Sequence, residues 1–551
     1  MTGPAQSGLN PPSRLELLQA PGCWLLVVIG ALLISLVYLP SLNTPFDFID
    51  DGNLVYPAPA MPFGQRLLLV WQKIAANYCD LGPFRPTLWL HWEAAAELFN
   101  ANPFPWRMAR LVWCGLSSAM FLWLMCELRM HPLAGLLAVS AAMWNPFRNE
   151  IWLSLTLGEG VAMPYALLSM ICAIRAGRSG SPGLWDLVGA GSIIVALGCK
   201  NTFMAVIPAQ VYLRVAANDS NWRQAWREHG KRACLLALTL VLPLAHFTWF
   251  KLNWQPGQYQ PGFPAVGQAL RMVSGLKGAI SLDFLGAGMV LTIIALALSS
   301  RSNSRQSTPY SGTSDPESLP WSRHRLALTA AALLLAAGIG VYLPINAVSG
   351  RYTIPAVWGL DIGLAVLLSR LFASPQSVWK RVALIALICG LITVAVAIVG
   401  KQLKFAARAR LLWQALTWVE QQAPQDACIA WVGRPHVGAA PSQSTHRDDP
   451  IQKLGVEEGI HFAWHLAERG RRDLPFNIMD DGGRPAGRRE LVDVACSPNL
   501  VITAKAEIPR PLSELGTAWR MQHFHEPYWW GQRGFDCFVW ALTPMAGGVA
   551  Q

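Results

Sequence analysis

The chain has 551 residues, of which 53% are hydrophobic and only 14% are charged, and its formal net charge is +11. Soluble domains carry about 25% charged residues, so this composition excludes a single soluble domain, a disordered chain and a fibrous one. The positive excess lies in the hydrophobic part: residues 1–401 hold 28 Lys and Arg against 17 Asp and Glu, whereas residues 402–551 hold 16 of each. We therefore expect a polytopic membrane protein whose loop cations face a cytoplasm and anionic lipid. No basic stripe accompanies a soluble fold, which argues against nucleic-acid binding.

The first apolar run spans Gly22–Pro40, and no small-residue cleavage site follows it closely, so we interpret it as a retained anchor. Later runs of spanning type lie at 107–126, 132–145, 160–174, 184–199, 202–213, 233–250, 279–299, 326–344, 354–369 and 382–400. Crossing a bilayer takes about 20 apolar residues in a helix. The runs 132–145 and 202–213 are short, so we expect one of them to be broken or re-entrant. The sequence thus predicts a mostly α-helical transmembrane bundle with about eleven spans.

The short loops orient this bundle, because Lys and Arg concentrate in cytoplasmic loops. With a cytoplasmic N-terminus, the inside loops hold most of them: Arg129, Arg175, Arg178, Arg214, Arg223, Arg227, Lys231, Arg232, Arg301, Arg305, Arg323, Arg325, Arg370, Lys380 and Arg381. One basic cluster opposes this orientation, since Lys401, Lys404, Arg408 and Arg410 follow the last span on the outside. Long exported domains have little influence on topology, however.

Three regions do not span. Loop 41–105 lies outside and contains amphipathic stretches, and the Ser/Pro-rich segment 300–323 is predicted to be a flexible cytoplasmic linker. We divide the chain into a transmembrane domain, 1–401, and a tail, 402–551. The tail opens with a helix-like stretch to about Gln422 and continues with strand-like runs such as CIAWV and DCFVWAL, which indicates a small extracytoplasmic α/β domain. One disulfide among its cysteines (Cys428, Cys496, Cys537) is possible in that compartment.

Acidic residues follow the first span in the segment LNTPFDFIDDGNLVY, as Asp47, Asp50 and Asp51. Carboxylates at a membrane surface repel anionic headgroups, so their placement there favours a functional role. A further acid, Asp361, lies inside an apolar run, and we expect it to pair with a basic residue for structural reasons.

The pattern PF-x-x-x-DD, followed by FRPTLWLHWEAAAELFNANPFPWRMARLVW, resembles the GT-C superfamily of membrane glycosyltransferases. It is most similar to the bacterial branch related to protein O-mannosyltransferases and lipid A aminoarabinose transferases. In that branch an acidic pair follows the first span, an Arg-Pro helix comes next, and a segment ending in Asn-Pro-Phe precedes the second span. Arg85-Pro86 and Asn102-Pro103-Phe104 match this order.

Three later segments extend the resemblance over about residues 22–400. WNPFRNEIW resembles the family's second outside acid, at Glu150, and LGCKNTFMAVIPA resembles its Lys-containing segment, at Lys200. GRYTIPAVWG resembles its late Arg-Tyr element, at Arg351 and Tyr352. Each motif alone is weak, whereas five in the right order on consistent sides of the membrane are fairly specific.

The resemblance implies an enzyme of the bacterial inner membrane that moves a hexose or pentose from a polyprenyl-phosphate donor to a lipid, glycan or protein acceptor at the extracytoplasmic face. Such a reaction needs a carboxylate base near the acceptor hydroxyl and cations on the developing phosphate charge. The family pattern makes Asp50 the base, with Asp51 orienting it or the acceptor. Substrate-binding roles fall to Arg85, Glu150, Lys200, Arg351 and Tyr352.

A metal is not expected to be obligatory, because one or two cationic side chains can neutralise a lipid phosphodiester with a single negative charge. In the tail, His523 and His525 could share a strand face beside Glu526, but no third ligand is evident. Two other functions share the fold class: a transporter or flippase of a lipid-linked sugar, and an O-antigen ligase or polymerase. Transporters usually show two similar halves, which this sequence lacks. A ligase would carry basic and His residues in a late outside loop, and residues 345–353 contain no His.

Overall fold

The computed structural model describes residues 21–48, 51, 62–79, 85–100, 102–146, 148–179, 183–217, 222–239, 241, 244–245, 288–294, 324–342, 353–373, 378–424, 427–432, 459, 462–463, 465–466, 474–479, 498–504, 519–528 and 533–542. This part of the chain is mostly helical and ends in a small β-sheet. Its α-helices, in chain order, are α1 (Pro21–Leu36), α2 (Phe63–Cys79), α3 (Pro86–Phe99), α4 (Pro103–Glu127), α5 (Pro132–Met143), α6 (Glu150–Leu153), α7 (Gly158–Arg178), α8 (Gly183–Cys199), α9 (Ile207–Ala216), α10 (Trp222–Leu238), α11 (Arg325–Tyr342), α12 (Ile354–Ala373) and α13 (Val378–Gln422).

Four of the described helices are long and apolar enough to cross a membrane: α4, α7, α12 and α13. Shorter apolar helices correspond to further predicted runs, at Trp24–Leu36, Pro132–Met143, Gly183–Cys199 and Arg325–Val341. The predicted total of about eleven spans is not confirmed by these helices and stays a prediction. The short run 202–213 is broken, as the sequence predicted of one of the two short runs, because a 3₁₀ helix at Asn201–Val206 leads into α9.

Two of the motifs that carry the family resemblance are helix starts. Pro86 occupies the first turn of α3, directly after Arg85, and Pro103 occupies the first turn of α4. At α4 the Asn102 side chain also accepts a hydrogen bond of 3.1 Å from the backbone N–H of Phe104. Proline fits this position because its missing N–H would have no partner inside the helix anyway. These motifs therefore define where the chain turns into α3 and α4.

The helices share one large apolar core, to which α1, α4, α5, α7, α8, α11 and α12 all contribute. Within it α4 packs against α7, and α7 packs against α8. The start of α7 lies near the start of α4, since Arg110 bonds the carbonyl of Leu157, and their ends meet where Arg178 pairs with Glu127. The two helices are therefore parallel. At 1.5 Å per residue, the 25 residues of α4 extend for about 37 Å, enough to cross the hydrocarbon core.

The tail contains a five-stranded sheet in the order β2-β1-β3-β5-β4. Its strands are β1 (Ile429–Val432), β2 (Phe476–Met479), β3 (Leu500–Thr503), β4 (Trp519–Tyr528) and β5 (Arg533–Leu542). The pairs of β1 with β2 and β3 are parallel, while β5 is antiparallel to β3 and β4. The predicted mixture of helix and strand is confirmed.

Helix α13 joins the apolar bundle to the tail without interruption. It runs for 45 residues, so the division at residues 401 and 402 falls inside one helix. Its second half packs on one face of the sheet through Leu412, Leu416 and Val419, together with Ile429 and Ile502 of the strands. The tail is thus mounted on the end of a membrane helix.

Candidate active site

Asp51 lies completely buried where the first loop meets α4. Its Oδ2 accepts a hydrogen bond of 3.0 Å from the backbone N–H of Asp47 and one of 3.1 Å from Nη2 of Arg107. Its Oδ1 accepts a third, of 3.0 Å, from the backbone N–H of Leu155. Both carboxylate oxygens are therefore engaged. This arrangement suits a residue that holds the acidic loop in place and leaves no described route for it to take a proton from a substrate.

Two arginines on α4 organise the loops around Asp51. Arg107 and Arg110 are three residues apart on the helix and so share one face, and both are buried. Besides its ion pair with Asp51, Arg107 donates 2.9 Å to the carbonyl oxygen of Pro45 and donates to that of Leu153. The guanidinium thereby ties the first loop to the end of α6. Because Arg presents several donors in a rigid fork, one side chain can join three backbone segments.

Arg110 lies one turn further along α4 and also binds backbone carbonyls. It donates 3.1 Å to the carbonyl oxygen of Leu157 and also donates to that of Leu155. It lies close enough to Asp51 and Glu159 for both carboxylates to interact with its charge. A charged residue inside an apolar helix is costly unless it is paired or has a function. Arg107 and Arg110 are therefore the two cations around which the acidic side chains at this end of the bundle are arranged.

Asp47 is the second described carboxyl of the acidic loop, and it is 4% exposed. Its Oδ1 accepts a hydrogen bond of 2.9 Å from the backbone N–H of Phe48. Burial, followed by the nearby charge of Asp51, raises the pKa of Asp47 to about 7, although Arg408 and Arg107 act in the opposite direction. A carboxyl with a pKa near neutrality can both accept and release a proton under physiological conditions. Asp47 has this property.

Lys200 and Glu159 form a second buried charge pair at the same end of the bundle. Their Nζ and Oε1 atoms are 2.6 Å apart, and Lys200 follows α8 directly while Glu159 lies in the first turn of α7. A Cβ atom at Gly158 would lie 2.6 Å from the carbonyl oxygen of Cys199, so the absence of a side chain there lets the two helix ends meet. The sequence predicted a substrate cation at Lys200 but did not predict its partner.

The helix that follows Arg85 begins beside this pair. The same Cβ atom at Gly158 would lie 2.9 Å from Leu88, and Thr87 packs against Gly198. The first turn of α3 thus lies against the ends of α7 and α8, next to Glu159 and Lys200. Arg85 is half-buried and, within the described residues, forms no ion pair.

Glu150 is exposed at the start of α6, on the same side as the acidic loop. Its neighbour Asn149 accepts a hydrogen bond of 2.8 Å from Lys401 of α13, whose charge also interacts with Glu150.

Asp361 forms a two-pronged ion pair with Arg148, at 2.7 and 3.1 Å, which confirms that this membrane acid has a basic partner.

The tail closes over the acidic loop. Phe48 inserts into the tail core, with its ring 5.4 Å from that of Trp413 on α13 and 5.9 Å from that of Phe462. The guanidinium of Arg408 lies near Asp47, and Arg410 pairs with Glu526 of β4 at 2.6 Å. Two arginines of the basic cluster that opposed the predicted orientation therefore have acidic partners within the protein.

The far end of the same helices is basic. Glu127, at the end of α4, pairs with Arg175 at 2.8 Å and with Arg178 at 3.1 Å. Arg214, whose carbonyl abuts Gly177, pairs with Asp186 at 2.6 Å. All three arginines belong to loops that the sequence predicts to be cytoplasmic. The acids of the first loop and these cations thus lie at opposite ends of α4 and α7.

Cys428, which precedes β1, is disulfide-bonded. Cys537 of the tail is free and buried in the sheet. Disulfides persist in oxidising compartments and are rare in the cytosol. A disulfide at Cys428 is compatible with the tail disulfide that the sequence allowed, and an extracytoplasmic tail stays a prediction.

Three predicted site residues lie outside the described residues: Asp50, Arg351 and Tyr352. Asp51, Arg85, Glu150 and Lys200 are described, and all lie at the end of the bundle where the tail is mounted. Sequence analysis did not assign Arg107, Arg110 or Glu159 to the site. The available signal was the WRMAR segment, which places two arginines three apart at the start of an apolar helix.

No protein-family model matches this chain, and no curated protein matches it significantly in sequence.

Proposed function

We propose that this protein is an integral membrane glycosyltransferase of the GT-C type, with about eleven spans. It moves a sugar from a polyprenyl-phosphate donor to a lipid, glycan or protein acceptor at the extracytoplasmic face of a bacterial inner membrane. The observation that carries the proposal is the acidic loop held against buried arginines at one end of the bundle, with Lys200 and Arg85 nearby. Carboxylates and cations at one membrane surface are what this transfer requires.

The reaction is a single displacement at the anomeric carbon. The acceptor oxygen forms a bond to that carbon, the bond from the carbon to the phosphate oxygen breaks, and the lipid phosphate leaves with the electron pair. The acceptor proton passes to a carboxylate, for which Asp50 is our candidate. Arg85, Lys200 and Arg351 stabilise the charge that develops on the phosphate, since hydrogen bonds to a charged oxygen are about twice as strong as neutral ones.

The remaining residues position these groups. Asp51 fixes the acidic loop through Arg107 and Leu155, in keeping with an orienting role. Glu150 and Tyr352 contribute contacts to a sugar or acceptor. Glu159 holds Lys200 at 2.6 Å, and we propose that this contact weakens when the donor phosphate takes its place.

The extracytoplasmic location rests on two independent supports. The disulfide at Cys428 suits an oxidising compartment, and the tail that carries it covers the acidic loop. The cations of the predicted inside loops lie at the other end of α4 and α7. Both favour a site that faces away from the cytoplasm.

The decisive experiment is a transfer assay with purified protein and a polyprenyl-phosphate sugar. General-base catalysis is typically worth about 100- to 10,000-fold, so Asp50→Asn should lower the rate at least about 100-fold while changing donor binding much less. Asp51→Asn should be less severe, because Asp51 only orients. Wild-type rates in both variants would reject the enzyme and favour a carrier of the lipid-linked sugar.

Arg85 tests the phosphate contact in the same assay. Arg85→Ala should lower transfer by about 100-fold, the lower end of the effect of removing one charge-stabilising donor, and Arg85→Lys should recover only part. Arg175→Ala is the matched control, because it also removes an arginine, but at the opposite end of the bundle, and should leave transfer near the wild-type rate. Equal losses in Arg85→Ala and Arg175→Ala would remove Arg85 from the site.

A further inference from the structure

A separate cluster of metal-binding side chains lies on the tail sheet. The ring nitrogens of His523 and His525 and a carboxylate oxygen of Asp536 all lie within 4.8 Å of one another. In the part of the chain that the structure describes, they form the only group of three or more His, Cys, Asp or Glu with this geometry. The sequence suggested that the two histidines share a face but offered no third ligand.

Strand geometry brings the three together. Residues two apart on a strand point to the same side, so His523 and His525 share one face of β4. In the antiparallel register, Asp536 of β5 is opposite His525, and Phe538 is opposite His523. The sequence alone did not identify Asp536 as the third ligand, because its position beside the histidines depends on the register between β4 and β5.

The rings are already oriented toward a common point. Nε2 of His523 and Nδ1 of His525 lie 2.8 and 2.9 Å from the same oxygen, Oδ1 of Asp536. The imidazole of His523 stacks on Phe538 with 4.5 Å between the ring centres and a 7° angle between the planes. The stacking contact and the hydrogen bonds to Asp536 therefore hold both rings in this orientation.

We propose that His523, His525 and Asp536 bind a divalent first-row metal ion, with Zn²⁺ the best match to two imidazoles and one carboxylate. Zinc bonds nitrogen and carboxylate oxygen at about 2.0–2.2 Å, which separates tetrahedral ligand atoms by roughly 3.3 Å. The observed 2.8 and 2.9 Å between the histidine nitrogens and Asp536 need to open by about half an ångström. The two histidine nitrogens, which lie within 4.8 Å of each other, need to close to roughly 3.3 Å, and rotation of the exposed side chains can supply both changes. Each coordinating nitrogen offers its lone pair to the metal, and the proton of the neutral ring lies on the other ring nitrogen.

This site leaves room for water on the metal. The three side chains are 42 to 47% exposed, so solvent reaches them. Three protein ligands with an open fourth position are typical of zinc sites that bind water or another ligand, whereas purely structural sites are closed by four protein ligands. The ion would join the last two strands of the sheet.

The site is distinct from the candidate active site. On the same strand, Phe524 and Glu526 point to the opposite face, where they contact Trp418 and Arg410 of α13. The histidines therefore face away from the helix that covers the acidic loop. Metal binding here is independent of the proposed transfer reaction and can be tested without it.

The test measures metal content directly. Full-length protein purified with a tag that contains no histidine is incubated with Zn²⁺, dialysed and analysed by elemental mass spectrometry, and affinity is measured by competition with a chelator. We expect one equivalent per wild-type chain. His523→Gln, His525→Gln and Asp536→Asn should each weaken binding at least about 100-fold, since that is the upper end of the loss when a residue that only hydrogen-bonds to a metal ligand is removed.

Glu526→Gln is the matched control, because it removes a carboxylate from the same strand on the opposite face and should retain full binding. Circular dichroism verifies that each variant is folded. The three ligand side chains are exposed, so we expect their replacement to leave the fold intact. Wild-type protein that retains no zinc would overturn the proposal. Zinc that binds equally well to all three ligand variants would overturn it too, since another site would then hold the ion.

Discussion

The indole N–H of Trp413 donates a hydrogen bond of 2.9 Å to the carbonyl oxygen of Phe46, across a sequence separation of 367 residues. This bond fastens the first loop to the helix that carries the tail. Next to it, Phe48 lies fully buried in the tail core. The position of the acidic loop therefore depends on the tail as well as on the membrane helices.

The contact of Phe48 with the tail core should be a major source of stability. Phe48→Ala should cost about 3–5 kcal/mol, the usual loss for a buried Phe in a core, and should lower the melting temperature in detergent. Phe104→Ala is the matched control, since Phe104 is 48% exposed and a surface change costs about 0.5 kcal/mol or less. Equal shifts in the two variants would contradict a docked loop.

The Arg107–Asp51 pair should behave as a unit. Arg107→Met leaves the Asp51 carboxylate buried without its partner, which typically costs about 3–5 kcal/mol. Adding Asp51→Asn removes that charge and should recover part of the loss in thermal stability. A double-mutant cycle measures the coupling. If the two losses simply add, the pair does not interact in the folded protein.

Asp47 should make stability depend on pH. Its pKa of about 7 in the folded protein exceeds the ordinary Asp value of 3.8, so the folded state holds the proton more tightly than the unfolded chain does. Its contribution is therefore greatest at low pH and is lost as the pH rises through about 7. Relative to Asp47→Asn, the wild type should lose about 2 kcal/mol between roughly pH 5.5 and pH 8. Melting curves of both proteins over this range provide the measurement, and parallel curves would disprove the shifted pKa.

Labelling with an impermeant thiol reagent on intact cells tests the orientation. In a background without reactive cysteines, a Cys at Asn43, which is exposed beside the acidic loop, or at Gly482 of the tail should react. A Cys at Gly312 in the predicted cytoplasmic linker should react only after the cells are permeabilised. Reaction at Gly312 together with protection at Gly482 would reverse the topology and remove the proposed site from the extracytoplasmic face.

Hydrophobicity alone predicted most of the described apolar helices, because burial in lipid or in the bundle demands a long apolar run. The helix-like stretch to about Gln422 was also predicted, but not that it forms one continuous helix with the last apolar run. The hydropathy changes at Lys401, but the residues up to Gln422 include no Gly or Pro that would end a helix. A change of environment was thus mistaken for a change of element.

The site was less predictable, because its contacts join distant parts of the chain. Asp51 was identified from its place after the first span, whereas its partner Arg107 was quoted only as part of a motif. Glu159 was likewise not recognised as the partner of Lys200. The local sequence shows which residues can carry a charge. The packing of α4, α7 and α8 determines which of these residues contact one another.

Because the first loop is bonded to α13, it can reach its folded position only after α13 has been synthesised. A ribosome adds about 5–20 residues per second, so Phe46 is made roughly 20–70 s before Trp413, 367 residues later. During that interval Asp47 and Phe48 have neither Arg408 nor the tail core to pack against. We expect the acidic loop to stay hydrated until synthesis is nearly finished, so a nascent chain that stops before α13 would be inserted in the membrane yet inactive.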